Sequence, residues 1–192
     1  MTKHTKSILA AIPLLLVSGY LAAAWYNLRQ DIDVPILAIT TDAIPGIPAS
    51  IAQMYLYLSD FDPNASTHYG MPALNFIVAG YGSGDSKQNK IILELSRKFI
   101  EKGAQVNQSW NGFTPLQGAV LANEPVLVEH LLRNGADPDI RLKHPGKASD
   151  NLTALEFAKY LAGRKKQDMG SVLEVLNKQP KPADQSVVNQ GK

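Results

Sequence analysis

Apolar residues are arranged along this 192-residue chain in two different ways. From Ser7 to Leu28 the run "SILAAIPLLLVSGYLAAAWYNL" contains no ionisable acid or base and shows no one-sided stripe. At about 1.5 Å per residue, such a run reaches across roughly the 30 Å of a bilayer core. Further on, apolar residues recur at i, i+3, i+4: Leu116, Ala119 and Val120 in one short stretch, Val128, Leu131 and Leu132 in the next. That period predicts two short helices with a narrow apolar face each. Thr114 is placed to cap the first and Pro115 to open it, because a proline's missing N–H costs nothing in a first turn. Asn123 and Glu124 end that helix, Pro125 opens the second, and Gly135 is placed to close it in the left-handed conformation. Both are shorter than the roughly 12–15 residues an isolated helix needs in water, so they must pack against further copies.

Copies are present. "GFTPLQGAV" at 112–120 aligns with "GMPALNFIV" at 70–78 and "NLTALEFAK" at 151–159, which puts Leu74, Leu116 and Leu155 in one register. The helix endings recur too, as "FIEKGAQVN" at 99–107, "LLRNGADPD" at 131–139 and a glycine-less "YLSDFDPN" at 57–64. These residues resemble the ankyrin repeat, a roughly 33-residue unit of a turn and two helices with the pattern T-P-L-H-x-A. The resemblance covers about 48 to 178 and implies an all-α solenoid of stacked helix pairs with hairpin-like tips: a half cap ending near Asn64, then repeats beginning near Ser66, Gln108 and Asp139. Where the pattern has His this chain has Asn75, Gln117 and Glu156, and its Thr is missing at Met71-Pro72-Ala73, which predicts weaker bracing of the turns. Two repeats are stretched, by Tyr81–Lys90 between helices and by Arg141–Asp150 at a tip.

Flanking segments complete the expected domain plan. Residues 1–29 read as a signal anchor, with a signal peptide cut after Ala24 as the rival reading, since Ala22 to Ala24 satisfy the small-residue rule. Lys3 and Lys6 precede the run and Asp31 and Asp33 follow it, which leaves the N-terminus inside the cell and the remainder beyond the membrane. Trp25 and Tyr26 fall where an interfacial aromatic belt would lie. Residues 30–48, with three prolines and a glycine, read as an extended linker; 49–178 form the repeat domain; 179–192 read as a disordered tail.

Composition removes several kinds of chemistry. Without any cysteine, thiolate metal sites, disulfides and a catalytic thiol are excluded. Of 19 Lys and Arg, two precede the membrane run, so the remainder balances 17 Asp and Glu, and a nucleic-acid partner is not expected. "GYGSG" at 80–84 lacks the strand and the Gly-Lys-Ser/Thr of a phosphate loop, and Arg164-Lys165-Lys166 reads as a solvated helix end. His68, His130 and His144 share no metal-ligand spacing, and no cofactor, metal or catalytic residue is expected. Sequons at Asn64, Asn107 and Asn151 matter only in a eukaryotic secretory pathway, and Asn151 stands where its repeat wants glycine.

What remains is binding. Solenoids offer extended surfaces for another protein, and the candidate contact residues are those at tips and on first helices: His68, Tyr69, Asn75, Trp110, Asn111, Gln117, Arg141, Lys143 and His144. Trp110 with His68 and Tyr69 is expected to form an aromatic patch, since tryptophan is enriched at hot spots; packing against a neighbouring tip is the competing role. An ankyrin array behind one anchor, monomeric when free and facing the periplasm of a bacterial inner membrane, resembles two groups. One comprises immunity proteins that neutralise periplasm-acting effectors, such as those of type VI secretion. The other comprises periplasmic ankyrin proteins that assist catalase in oxidative-stress defence. A structural membrane adaptor is the third expectation.

Overall fold

Local sequence rules account for most helix boundaries. The computed structural model describes residues 3–29, 31–41, 49–82, 86–165 and 168–178, and among them the regular elements are helices. They are α1 (Lys3–Leu28), α2 (Asp33–Thr41), α3 (Ala49–Leu58), α4 (Ala73–Ala79), α5 (Ser86–Glu101), α6 (Pro115–Ala122), α7 (Pro125–Arg133), α8 (Ala154–Lys165) and α9 (Gly170–Asn177). The chain divides into two compact units, Met1–Gln105 and Val106–Lys192.

In unit 2, helix α6 starts at Pro115 behind Thr114, whose hydroxyl accepts the Gln117 N–H, while the Gln117 side chain accepts the Thr114 N–H in return. This reciprocal capping box satisfies two of the N–H groups that every helix start leaves open. Asn123 closes α6 at φ +59, Pro125 opens α7, and Gly135 follows α7 at φ +90. The predicted stripes are the core: Leu116, Ala119, Val120, Val128, Leu131 and Leu132 are all buried. Helix α6 packs on α7 and α8, and α9 packs on α7 and α8, so two helix pairs stack in register. Asn151, standing in for glycine, takes φ +62, and Thr153 with Glu156 repeats the capping box one pair later. The expectation that these turns are weakly braced is therefore wrong for Gln117 and Glu156, and right for α4, whose N-cap is Pro72 with no side-chain cap bond. The three aligned leucines are not equivalent either. Leu74 and Leu116 are buried, whereas Leu155 is half-buried, and Phe157 and Ala158 supply the buried face of α8.

Unit 1 differs from the sequence reading in three places. Residues 33–41 form α2 rather than an extended linker. Pro35 falls in its first turn, where its fixed φ suits a helix, and Ile36, Ala38 and Ile39 are buried against α3, α4 and α5. The expected half cap is thus a complete helix pair, α2 with α3, ahead of the pair α4 with α5. Second, Ser86–Lys90 belong to α5 and not to the link before it; Gln88 reaches the Thr40 carbonyl at the end of α2. Third, Trp25 turns away from a membrane-belt role and meets Tyr55 of α3 edge-on at 5.0 Å, with Ala24 and Leu28 buried beside it. No helix among the described residues is long and apolar enough to cross a membrane. The side chains of 3–15, where the proposed span begins, lie outside the described residues, as do 42–48, 83–85 and the expected tail 179–192.

One brace occurs in both units. Asn64 donates from Nδ2 to the Gly103 carbonyl and accepts the Gln105 N–H at 2.8 Å; Asn107 donates to Gly135 and accepts the Asp137 N–H at 2.9 Å. In each unit the asparagine thus holds, from within that unit, the backbone that follows a helix end: Gly103 to Gln105 after α5 and Gly135 to Asp137 after α7. The two sequon amides at 64 and 107 are therefore engaged in the fold.

Candidate functional site

Between consecutive helix pairs the backbone turns back on itself as a hairpin tip, and the tips carry most of the candidate residues. In unit 1, the Thr67 N–H donates to the Met71 carbonyl at 2.8 Å, which leaves His68, Tyr69 and Gly70 at the apex. Tyr69 is 81% exposed and meets the His68 ring edge-on at 5.4 Å.

Unit 2 has two tips. Trp110 and Phe113 exchange both backbone bonds, at 2.9 and 3.0 Å, around Asn111 at φ +50 and Gly112 at φ +83. Two successive positive φ values make this a two-residue type I′ turn, for which Asn-Gly is the favoured pair. The second tip is the stretched one. Leu142 and Leu152 pair at its base, and the loop is closed by the Asp150 carboxylate accepting the His144 N–H at 2.8 Å and by Lys147 N–H to the His144 carbonyl. The two tips are joined directly. The Lys143 N–H donates to the Gly112 carbonyl at 3.1 Å, and a Cβ on Gly112 would stand 1.9 Å from the Lys143 carbonyl oxygen. Phe113 lies under the joint, 5.2 Å from His144 and 6.0 Å from Phe157.

Five candidates, Trp110, Asn111, Arg141, Lys143 and His144, thus lie on one pair of joined tips. Asn111, Arg141 and Lys143 are exposed, while Trp110 and His144 are half-buried. Arg141 is held in place by the Asn151 carbonyl at 2.7 Å and by Glu156 at 3.4 Å. Glu156 stays below the usual carboxylate range, chiefly because the Thr153 backbone N–H donates to it, then the Thr153 side chain, with the Arg141 charge adding to both. Lys143 and Lys147 are exposed with no acidic partner among the described residues, so the stretched tip is cationic beside a half-buried indole.

The remaining candidates are corrected. Gln117 is 1% exposed and Asn75 8%, so neither offers its side chain to a partner. Gln117 instead donates from Nε2 to the Ile140 carbonyl at 2.7 Å, bracing the next tip, and Asn75 faces the interior with its Oδ1 unpaired among the described residues. His68 and Tyr69 belong to unit 1 and Trp110 to unit 2. His130 lies in the last turn of α7, apart from the tips, and among the described residues no three His, Cys, Asp or Glu gather as metal ligands. Sequence reading missed one array: Phe157 stacks on Tyr160 at 6.5 Å, and Arg164 donates to the Tyr160 hydroxyl while lying 5.8 Å from its ring. The signal was present as aromatic, aromatic, arginine at i, i+3, i+7 along one helix.

Comparison with known families gives the same frame. The family model for the ankyrin repeat matches residues 111–143, from the Asn-Gly turn of one tip to Lys143 in the next. The match supports an ankyrin-repeat protein, and hence a protein–protein interaction module of a family that is typically non-enzymatic. No curated protein matches the chain.

Proposed function

We propose that the chain is a membrane-anchored immunity protein: it binds a toxin or effector that acts on the outer side of a bacterial inner membrane and neutralises it by occupying its surface. The observation that carries the binding reading is the joint between Lys143 and Gly112, which brings the tip of Trp110 and Asn111 against the tip that carries Lys143 and Lys147. An indole beside unpaired cations suits a partner with an acidic, partly aromatic epitope, because aromatic anchors carry affinity and charge steers encounter. Neutralisation requires coverage rather than chemistry, and a standard interface buries about 800 Å² on each partner. The anchor reading rests on the apolar run from Ser7 up to the residues that pack in unit 1, Ala24, Trp25 and Leu28, with Lys3 and Lys6 before it.

The test has two steps. The full chain captures its partner from solubilised membranes, and that partner is then exported in cells lacking the chain. Export is expected to stop growth, and co-expression of the wild-type chain to restore it. The variant Trp110→Ala/Lys143→Ala/Lys147→Ala is expected to fail in rescue while α6 and α7 keep their amide-exchange protection, since both lysines are exposed and the half-buried Trp110 lies outside the core of unit 2. A captured partner that is harmless on export overturns the immunity reading. Full rescue by the triple variant overturns the tip surface.

A further inference from the structure

Unit 1 holds a cleft of about 330 Å³ between α2, α3 and α5, away from its hairpin tip. Its floor is apolar: Ile39 from α2, Leu56 from α3, Leu95 and Phe99 from α5, all buried side chains whose edges meet there. Its lip is cationic. Lys98 lies in the last turn of α5 and Lys102 just past its end, and Lys102 Nζ lies 4.7 Å from the Phe61 ring centre and 3.5 Å from the Ser59 carbonyl oxygen. Glu101 also lines the cleft, but it lies 3.9 Å from Arg97. Lys98 is exposed and has no acidic partner among the described residues. Across from the lysines, Gln53 and the exposed Tyr57 of α3 leave the mouth open and polar.

We propose that this cleft binds a free anionic amphiphile, a medium-length apolar chain ending in one carboxylate, with the carboxylate held between Lys98 and Lys102 and the chain laid over Leu56, Leu95 and Phe99. Size and charge both select this class. A volume near 300 Å³ is the lower end of small-molecule sites, whereas a partner helix is about 10–12 Å across and does not enter it. An eight-carbon carboxylate is a ligand of this class suited to a site at that lower end. A floor without exposed polar groups takes the chain, and ammonium groups at the mouth make charge-assisted hydrogen bonds to the anion. The cleft shares no lining residue with the tip surface, so it stands or falls apart from the immunity reading.

The probes are octanoate and octylammonium, which share a chain and differ in the sign of the head group. The full chain is carried in phosphatidylcholine nanodiscs, and the Ile39, Leu56 and Leu95 methyl resonances are followed during titration. Octanoate is expected to shift these methyls saturably and to bind at least about tenfold more tightly than octylammonium. The variant Lys98→Ala/Lys102→Ala, both exposed positions, is expected to lose about tenfold in octanoate affinity with its unliganded methyl spectrum preserved. Absence of saturable shifts at these methyls overturns the proposal. So does equal binding of the two probes, or octanoate binding that the double variant leaves unchanged.

Discussion

Replacing Gly112 by alanine is expected to lower the stability of unit 2 by about 3 kcal/mol or more, the largest effect of adding a methyl at any of the described glycines. Two costs combine. The residue sits at φ +83, where an L side chain costs about 1–2 kcal/mol. The new Cβ would also stand 1.9 Å from the Lys143 carbonyl oxygen, a backbone atom that cannot rotate aside. Relief requires the two tips to part, which breaks the Lys143 N–H to Gly112 bond and lets Phe113 lose its ring contact with His144. Gly70→Ala is the control: it has φ +75 but open space around its Cβ position, so only the backbone term applies. Thermal unfolding of the full chain, followed by amide exchange at residues of each unit, measures both. A drop of about 10 °C or more is expected in unit 2 for Gly112→Ala, against about 5 °C in unit 1 for Gly70→Ala. Equal small drops would mean that the tips are not joined as described.

Gln117→Ala is expected to cost about 3 kcal/mol, although the residue is polar and sits in a first turn. Its side chain performs two tasks at once, accepting the buried Thr114 N–H at 2.9 Å and donating to the Ile140 carbonyl at 2.7 Å. Alanine leaves both backbone groups without that partner, and each unsatisfied buried group costs about 1–3 kcal/mol. Gln117→Glu separates the tasks. A glutamate keeps the capping box, as Glu156 does one pair later with Thr153, but has no N–H to give to Ile140. At a position 1% exposed the carboxylate is also desolvated and faces the Ile140 carbonyl oxygen, so the glutamate variant is expected to lose at least as much stability as the alanine variant in the same melts at neutral pH. If Gln117→Glu matched wild type, the bond to Ile140 would contribute nothing.

These two positions also show how far the sequence could be read. The α6–α7 pair was fully legible, because Thr114-Pro115, Pro125 and Gly135 are each local signals with a single meaning, and the stripe residues between them all proved buried. Helix α2 was not, because three prolines and a glycine between 33 and 48 suggest extension, and only the placement of Pro35 in a first turn reconciles proline with a helix. The start of α5 was hidden by its polar residues Ser86 to Lys90, which lie on a part of the helix that needs no apolar stripe. Within the candidate surface, exposure at the tips was legible from turn chemistry, whereas the burial of Gln117 and Asn75 was not. Burial of a polar side chain depends on backbone groups elsewhere in the chain that need a partner, and sequence spacing does not display them. The alignment of Leu155 with Leu74 and Leu116 was correct in register and wrong in environment, because Phe157, where α6 has Gly118, supplies the buried bulk of α8.

Both large effects converge on the joined tips of unit 2, and hydrogen–deuterium exchange of the full chain with and without its captured partner tests that surface most directly. The account predicts new protection on binding at 110–113 and 141–150, with α7 and α9 unchanged. Protection confined to α7 and α9, with the tips exchanging as they do in the free chain, would contradict it.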